Sequence, residues 1–541
     1  MRSNLDIFLG WILTVGYWIL GSVTAKRLLL SPWFALSILV AGDVSMMGNV
    51  LPRGASFALA ALAVAYVLRA SLADTVLFTV AHIPFSPALP LPGFDSFALW
   101  RLVVLTLALR LLWKNRAQLM QRFTLPQIRS ALRPYDWIGL ALLFWATLSL
   151  IGAFDLVVGL RKLVFLANAA MLYIALRWLF ARVPGTKRAA LIGLATGTIG
   201  LLLFGIAQYA VISWVSLYDF WQGWSLDTIP VFYGEALGQT LNTSNTWFAY
   251  YPPPVPPTLR MFSLLPDSHS FGIMMLLGFL LALAAWPLAQ NRKHRAIAIA
   301  TATAFGIAIF VNGSRGIWLA AVPTALLAYA TLIYGIRSRR RELARAGKVA
   351  FAGFLLLTLL FPLSSLISAQ AHGAGIDDIE LTLAFQRARS ILDLDELSNR
   401  GRIGIWVTNL KSVAAHPVFG VGIGNAAVVF DESVSAARRG ASAHNLYLDF
   451  AAETGVIGGL LSLAWFLAIF FTGVLLSVKN TLSKQDALLT LTVVLATAWL
   501  GVYNLVDVVF LNDRALLAYF VLLALFAVIP KRHETTGVIH A

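Results

Sequence analysis

Long apolar stretches separated by short basic hinges constrain the fold of this chain more than any other feature. Of its 541 residues, 59% are apolar and 12% are charged, whereas soluble domains carry about 25% charged residues. Apolar runs of roughly bilayer-spanning length recur along the chain, among them Leu191–Ile212, Phe271–Leu288, Val349–Ile367, Gly455–Leu476 and Ala487–Phe510. The pattern predicts an all-α, polytopic membrane protein with about 12–14 transmembrane helices. The predicted spans include residues 7–25, 55–69, 137–158 and 487–510.

The distribution of basic residues predicts the orientation of these helices. One basic hinge lies between residues 114 and 133, and another lies between residues 337 and 348. Because basic loops stay on the cytoplasmic side of a membrane, both hinges are expected there. The formal charge of +16 is therefore read as a topology signal, and no nucleic-acid partner is expected. The absence of cysteine excludes disulfides, thiolate nucleophiles and cysteine metal sites.

Two long segments interrupt the apolar pattern and are expected on the outer side of the membrane. Residues 213–268 are rich in aromatic residues and proline, and residues 370–443 combine a helical pattern with a turn at Gly420, Gly422 and Gly424. Loops of this length are usually functional. The predicted division is N-terminal helices at 1–212, the aromatic segment at 213–268, central helices at 269–369, a lid at 370–453 and C-terminal helices with a cytoplasmic tail at 454–541.

His444 and Asn445 stand where a polar segment meets an apolar helix. The run that they open reads His-Asn-Leu-Tyr-Leu-Asp-Phe-Ala-Ala-Glu-Thr-Gly-Val-Ile-Gly. A neutral imidazole can accept a proton near neutral pH, which general-base catalysis on a hydroxyl group requires. The alternative is that His444 only makes a hydrogen bond at the membrane interface. Asp449 and Glu453 are expected near His444, and Asp449 either biases the protonation of His444 or faces solvent.

Four arginines are expected at the same outer boundary as His444, although they are far apart in the sequence: Arg260, Arg315, Arg400 and Arg402. Ionisable groups near a bilayer are costly unless a partner offsets their desolvation. Guanidinium groups match phosphate oxygens in bidentate fashion, so a lipid pyrophosphate is the natural ligand. Alternatively, Arg315 ends a span by snorkelling, and Arg400 and Arg402 are surface charges beside the lid.

Several short motifs in this chain resemble the O-antigen ligase and polysaccharide polymerase superfamily of bacterial envelope glycan transfer. They are Arg260-Met-Phe-Ser-Leu-Leu-Pro-Asp-Ser-His269, Asn312-Gly-Ser-Arg315-Gly, Arg402-Ile-Gly-Ile-Trp406 with His416-Pro-Val-Phe-Gly420, and His444-Asn445 followed nine residues later by Gly455-x-x-Gly458. The resemblance covers roughly the C-terminal half, from Arg260 to Val474. The N-terminal half matches only in being multispanning.

The resemblance implies a role for each matching residue. His444 would take the proton from the acceptor hydroxyl, and Arg315 and Arg402 would hold the undecaprenyl pyrophosphate leaving group. Arg260 would match the arginine that precedes a Phe and Pro element in the family. The supporting residues would be Asn445, Trp406, Gly455 and Gly458, the glycines through close helix packing.

Two departures from the family pattern leave part of this site open. The family usually has Pro-Asn where this chain has Pro266 and Asp267, and Arg400 is an extra arginine, so either Arg400 or Arg402 would meet phosphate. His269 either orients a substrate hydroxyl or has a structural role. Asp393 and Asp395 have the spacing of a metal-binding pair but lie in an acidic, helical-looking stretch. We therefore expect no metal and no cofactor.

The implied activity is that of an inverting, metal-independent membrane glycosyltransferase. It would move a glycan en bloc from undecaprenyl pyrophosphate to an acceptor hydroxyl at the periplasmic face of the bacterial inner membrane, in lipopolysaccharide or exopolysaccharide biosynthesis. The expected partners are the carrier-linked glycan, a glycan or lipid A core acceptor, and membrane lipids.

The acceptor and the class of activity leave alternatives. A lipid A core acceptor would make the protein an O-antigen ligase, and another carrier-linked repeat would make it a polysaccharide polymerase. A serine or threonine side chain would make it a protein O-oligosaccharyltransferase. The alternative from another class is a polyprenyl-linked glycan transporter or flippase, in which arginines line a route for an anionic lipid.

Overall fold

The computed structural model describes residues 30–121, 132–243, 245–249, 257–371, 397–430, 442–478 and 482–530. Within these ranges the chain is largely helical, with two short β-hairpins, so the predicted all-α polytopic class is confirmed. The predicted first span at residues 7–25, the aspartates Asp393 and Asp395, and the basic tail residues Lys531 and Arg532 lie outside them.

The helices and strands of the described chain follow one another in a simple order. The helices are α1 (Pro32–Met47), α2 (Ala55–Arg69), α3 (Leu72–His82), α4 (Leu99–Gln121), α5 (Pro134–Leu148), α6 (Leu156–Arg182), α7 (Thr186–Val211), α8 (Leu217–Gly223), α9 (Ile229–Tyr233), α10 (Glu235–Thr243), α11 (Ser268–Leu288), α12 (Arg292–Asn312), α13 (Arg315–Arg337), α14 (Arg341–Ala371), α15 (Leu397–Ala415), α16 (Leu446–Val478), α17 (Lys484–Tyr503) and α18 (Asp513–Ala527). The strands β1 (Ala88–Leu91) and β2 (Phe94–Ala98) pair antiparallel, as do β3 (Phe248–Ala249) and β4 (Thr258–Leu259).

Nine helical segments in the described ranges are long and apolar enough to cross a membrane. They are Pro134–Gly152, Leu156–Arg182, Thr186–Val211, Ser268–Leu288, Arg292–Asn312, Arg315–Arg337, Arg341–Leu360, Leu446–Val478 and Lys484–Tyr503, and three shorter apolar helices occur at Pro32–Met47, Ala55–Arg69 and Leu72–Phe85. Large apolar side chains such as Phe144, Leu203 and Leu326 are exposed on these segments. Lipid would cover such surfaces, as expected for a multi-pass membrane protein.

Two predicted spans run well past the ends of their helices. The expected span 137–158 is broken after Leu148, and α6 starts only at Leu156, because the Asp155 carboxylate accepts from the N–H groups of Val157 and Val158 and caps a new helix. The expected span 487–510 ends at Tyr503. Hydropathy cannot detect this end because the residues that follow it remain mostly apolar.

The chain divides into two compact units, of which unit 1 comprises Met1–Leu119, Ile174–Asn245 and Ser263–Pro266. Its helices α3 and α7 pack closely, since a Cβ at Gly193 would lie 2.9 Å from the carbonyl oxygen of Leu77. The buried Arg110 of α4 donates to the carbonyl oxygen of Ala70 at 2.7 Å. This bond satisfies a carbonyl at the end of α2.

Unit 2 comprises Met120–Tyr173, Thr246–Phe262 and Asp267–Ala541. The starts of α11, α13 and α16 meet the ends of α12 and α17 at one end of this unit, which we call the polar end. There, Asn312 donates to the carbonyl of Ser268, and the Leu446 N–H donates to the Asn504 carbonyl at 2.8 Å. The basic residues at 292–295 and 337–341 therefore lie at the opposite helix ends, about 30 Å away along α12 and α13.

A buried charge cluster joins α6 to α16 within unit 2. The Lys162 ammonium lies 2.5 Å from Glu453 and 3.8 Å from Asp449. Both carboxylates are buried, so they do not face solvent. Hydropathy and spacing do not reveal this cluster because its members lie almost 300 positions apart in the sequence.

Removing the Lys162 charge is expected to destabilise the protein. In a Lys162→Met variant, two buried carboxylates lose their cation, which costs about 3–5 kcal/mol for a broken buried pair. The measurement is the apparent melting temperature in detergent. Lys484→Met is the matched control, because Lys484 forms a largely exposed pair with Glu342 at 3.3 Å, and such pairs contribute about 0–1 kcal/mol. Equal melting temperatures for the two variants would contradict a stabilising role of the buried Lys162 charge.

Candidate functional site

Three side chains fix the backbone that carries His444. The Trp406 Nε1–H donates to the carbonyl oxygen of Ala443 at 3.0 Å, and the Asp449 carboxylate accepts from the N–H of Ala443 at 3.0 Å. Asn445 caps the start of α16 with its side-chain oxygen. His444 has a φ of +47°, a left-handed conformation that a non-glycine residue adopts only when its surroundings impose it. The Trp406 and Asp449 bonds hold both backbone polar groups of Ala443, the residue that precedes His444.

Gly455 interrupts α16 two turns after its start. With a φ of +76°, it is the one residue in this helix whose backbone is not helical. A Cβ at this position would lie 2.1 Å from the carbonyl oxygen of Val418, and the next N–H, that of Val456, donates to Pro417 at 2.9 Å. Gly455 therefore packs against the turn that follows α15 instead of a second helix. At Gly458 the nearest obstacle to a Cβ is Thr454, in the same helix.

The glycine turn predicted after the lid helix is confirmed. Gly420, Gly422 and Gly424 all have positive φ values. A Cβ at Gly422 would lie 2.4 Å from the Cα of Ala153, at the break between α5 and α6. The turn thus anchors the end of the lid helix α15 to the transmembrane part of unit 2.

A polar network lies beside His444 at the polar end of unit 2. The Asp507 carboxylate lies between two imidazoles, with its Oδ1 3.8 Å from the His444 Nδ1 and its Oδ2 3.6 Å from the His269 Nδ1. These are ion-pair distances, longer than hydrogen bonds. The His269 Nδ1 also lies 2.5 Å from the Tyr503 hydroxyl and 2.9 Å from that of Ser314. The four elements that supply these residues are thereby joined through one carboxylate.

Burial and neighbouring charges set the ionisation of the two aspartates here. Burial raises the pKa of Asp507, but the attraction of His269 and His444 outweighs it and lowers the pKa to about 2. Asp507 is therefore a carboxylate at physiological pH. Burial raises the pKa of Asp267, and the nearby charge of Asp507 acts in the same direction.

Asp267 caps α11 through its side chain. One carboxylate oxygen accepts from the N–H of Ser270 at 2.7 Å, and the other accepts from the Ser270 hydroxyl at 2.7 Å. An asparagine at this position would supply the same N-cap acceptor. The departure from the Pro-Asn pattern therefore preserves the helix start.

Two of the predicted arginines act on this network. Arg260 directly follows β4, where its N–H donates to the Trp247 carbonyl at 2.7 Å. Arg260 and Arg402 are both close enough to His269 to interact with it electrostatically, and Arg402 also interacts with Tyr503. Both positive charges therefore lie near the polar network.

The other two arginines occupy different positions. Arg315 is the first residue of α13 and directly follows Ser314, which contacts His269. Arg400 is exposed and precedes Arg402 by two positions in α15, which is a rotation of about 200° around a helix. The geometry therefore favours Arg402 over Arg400 as the residue that faces the site.

The sequence interpretation missed Asp507, Tyr503 and Ser314 as members of the site and left His269 undecided. One signal was present, because Asp507 was a lone carboxylate inside a predicted apolar span, and such residues are functional candidates. The contacts of Ser314 and Tyr503 had no local signal. In the part of the chain that the structure describes, no group of three or more His, Asp or Glu side chains is placed to hold a metal ion.

Comparison with known proteins shows which family part of this chain resembles. Residues 299–463 match the family model for O-antigen ligase, which confirms the resemblance predicted from the motifs. The chain is also 26% identical over 211 residues to an O-antigen polymerase of Salmonella muenchen, a match that covers 39% of this chain and 46% of the relative. The match thus spans about half the length of that relative. Arg260, His269 and Asp507 lie outside the region of the family model.

Replacing Trp406 by phenylalanine tests whether α15 holds the His444 backbone. The Trp406→Phe variant keeps an aromatic ring but loses the bond to Ala443, which is worth about 1 kcal/mol. Amide hydrogen exchange of Ala443–Leu446 should therefore accelerate about fivefold. Trp221→Phe is the matched control, since Trp221 donates to the Leu241 carbonyl at 3.1 Å in unit 1. Unchanged protection at Ala443 in the Trp406 variant would contradict the contact.

Proposed function

We propose that this protein is a membrane glycosyltransferase of the O-antigen ligase or polymerase type. It transfers a glycan en bloc from undecaprenyl pyrophosphate to an acceptor hydroxyl at the periplasmic face of the bacterial inner membrane. The observation that carries the proposal is the pairing of His444 with Asp507 at the polar end of unit 2. Arg315 begins α13 there, and Arg260 and Arg402 lie near His269. The match of residues 299–463 to the O-antigen ligase model supports it independently.

The arginines are suited to bind the diphosphate leaving group. Transfer from a pyrophosphate places negative charge on the phosphate oxygens as the anomeric bond breaks. Preorganised positive groups stabilise such charge in a site that excludes water. Arg260, Arg315 and Arg402 supply guanidinium forks that match phosphate geometry. Their number allows contacts with both phosphates of the carrier.

His444 is suited to act as the general base that accepts the proton of the acceptor hydroxyl. Its Nδ1 faces Asp507, which leaves Nε2 as the nitrogen that can accept a proton, and the side chain is 38% exposed. The acceptor oxygen bonds to the anomeric carbon while the bond from that carbon to the diphosphate oxygen breaks. The acceptor proton passes to His444 Nε2, and the electron pair leaves with the diphosphate. Attack from the face opposite the leaving group inverts the anomeric centre. Asp507 stabilises the imidazolium that results.

The direction of the helices supports a periplasmic site. The basic residues at 292–295 and 337–341 lie at the helix ends opposite the polar end of unit 2. Because basic loops are retained in the cytoplasm, the polar end then faces the periplasm. The lipid-linked donor is accessible there once its glycan has crossed the membrane.

The acceptor separates ligase from polymerase activity. The family model describes ligases and the relative is named a polymerase, so both acceptors stay within the proposal. Gel profiles of surface glycan from a deletion strain discriminate between them. A single retained repeat unit indicates polymerisation, whereas accumulated carrier-linked polymer indicates ligation.

The base is tested by removing its imidazole. The His444→Ala variant is expected to lose transfer by about 10²–10⁴-fold, the contribution of general-base catalysis. Transfer is measured with purified protein and a pyrophosphate-linked glycan in detergent micelles, where no membrane has to be crossed. The matched control is His416→Ala, because His416 is exposed beyond the lid helix and packs at the edge of Phe154. It should retain near wild-type activity.

The transporter alternative makes the opposite prediction in the same assay. A flippase has no turnover in micelles, so absence of transfer by the wild-type protein would favour transport. Full activity of the His444→Ala variant would exclude His444 as the base.

Asp507 is expected to act as a positioning residue through His444. The Asp507→Asn variant keeps the shape of the side chain but loses the negative charge that orients the His444 imidazole. Therefore kcat should fall about 10- to 100-fold, which is part of the rate that general-base catalysis contributes. KM for the donor should change little because the arginines remain. Asp507→Glu should restore part of kcat. A rise in KM with unchanged kcat would instead place Asp507 in donor binding.

A further inference from the structure

The lid helix α15 packs onto unit 2 through one of its faces. Ile405 and Asn409 are buried on that face, and Val413, one turn further along, packs against a buried apolar cluster. These three positions are spaced four residues apart, so they lie on one side of the helix. The Trp406 bond to Ala443 lies beside this face. The helix α15 is thereby fixed to the start of α16.

A second face of α15 is apolar and exposed. Ile403, Val407 and Leu410 are exposed there, and Leu410 is 57% exposed. Their spacing of four and three residues places them in one line along the helix. We call these three residues the outer stripe. A continuous apolar stripe is unfavourable in water, so it marks a surface that another molecule covers.

Basic side chains border the outer stripe along one edge. Arg400 and Lys411 are both exposed, and they are eleven positions apart, which is three helical turns to within about 20° of rotation. The sequence from Leu397 to Ala415 contains no acidic residue. An apolar helix face that is edged by basic side chains is typical of helices that lie in the interface of an anionic bilayer.

The segment that follows α15 contacts α16 well below the polar end. The Val456 N–H donates to the Pro417 carbonyl at 2.9 Å. Val456 lies ten residues after Leu446, the first residue of α16, which corresponds to about 15 Å along a helix. Trp406, in contrast, contacts Ala443, just before α16 begins. The second half of α15 therefore descends along α16 from the polar end toward the middle of the span.

A second span gives a similar depth for the end of the lid helix. The Phe419 ring stacks on the Trp145 ring with 5.7 Å between their centroids. Trp145 lies seven residues before the end of the membrane-crossing segment Pro134–Gly152, which is about 10 Å inside it. The neighbouring Phe144 is exposed on the same segment, where lipid would cover it. The outer stripe therefore runs beside surfaces that face lipid.

We propose that α15 is seated in the membrane leaflet at the polar end, with lipid chains covering the outer stripe and with Arg400 and Lys411 bound to the phosphates of anionic phospholipids. This inference goes beyond the proposed function, because it concerns the lipids of the bilayer and neither a donor nor an acceptor. Lipid fits better than a protein partner because the stripe is narrow and descends along two membrane spans.

The contact with lipid reaches the site through one bond. Trp406 belongs to the same helix as the outer stripe and donates to Ala443, the residue before His444. A lid helix that lipid holds in place keeps this bond formed. Anionic headgroups therefore stabilise the backbone that carries His444.

The position of the outer stripe is tested with a fluorescent label. The chain has no cysteine, so a single introduced cysteine can carry the label. Leu410→Cys places it in the outer stripe, Leu203→Cys on the exposed side of the span α7, and Gln239→Cys on the exposed side of α10. Quenching by brominated lipid and by aqueous iodide is measured in nanodiscs. The Leu410 label should behave like the Leu203 label and unlike the Gln239 label.

Two outcomes of this measurement would overturn the proposal. A Leu410 label that iodide quenches as strongly as the Gln239 label would show that the stripe faces water. A Leu410 label that neither quencher reaches would show that protein, such as a second copy of this chain, covers the stripe.

The headgroup contact is tested by amide hydrogen exchange of Ala443–Leu446 in nanodiscs of phosphatidylglycerol or phosphatidylcholine. A basic residue near an anionic surface strengthens membrane binding about fivefold, so exchange in the wild-type protein should be at least about fivefold slower in phosphatidylglycerol. The double variant Arg400→Gln with Lys411→Gln should lose this difference. The matched control is Arg337→Gln with Arg345→Gln, because both arginines are exposed at the opposite helix ends. It should keep the difference.

Equal exchange in the two lipids for the wild-type protein would overturn the headgroup contact. A lipid difference that persists in the Arg400 and Lys411 double variant would also overturn it. Neither measurement uses a glycan donor or an acceptor, so failure here is distinguishable from failure of the proposed function.

Discussion

The charge of Asp507 has to be offset where it lies, because a buried carboxylate without a partner is strongly destabilising. The fold meets this requirement with two histidines, one on each oxygen, so that His269 from α11 and His444 from the start of α16 are drawn to one point. Tyr503 and Ser314 add hydroxyl groups at His269. Four elements of unit 2 are thereby tied together at the end where the arginines lie. A change in any of them would alter how the His444 ring is presented.

The backbone around His444 is held by contacts that reach well beyond the site. Asp449 accepts from the N–H of Ala443, the residue before His444, and also lies 3.8 Å from Lys162 of α6. Trp406 donates to the carbonyl oxygen of the same residue and connects it to the lid helix. Gly455 then lets the backbone after the lid approach α16. These contacts explain why a histidine can keep a left-handed conformation, which is retained only where the surrounding structure imposes it.

Several parts of this arrangement were predictable from local patterns. The helix at Ala55–Arg69 agrees with its predicted span, and the lid helix and the glycine turn lie where spacing and turn residues placed them. The motifs around Arg315, Arg402 and His444 indicated the family that residues 299–463 match. Other parts were not predictable. Apolar residues follow Tyr503, so hydropathy ran through the helix end and placed Asp507 inside a span, and the β1–β2 hairpin and the helix α3 gave no separate signal.

The sequence by itself determined the membrane class and the order of the long apolar helices, because a bilayer admits only apolar helices whose backbone bonds are internal. Tertiary structure decided which polar residues meet. Asp507 lies 238 positions after His269 and 63 after His444, and no periodicity encodes a contact across such distances. It also brings Arg402 of α15 near His269, a proximity that helical spacing alone does not specify. Local pattern therefore specifies the helices, and the packing of their ends specifies the site.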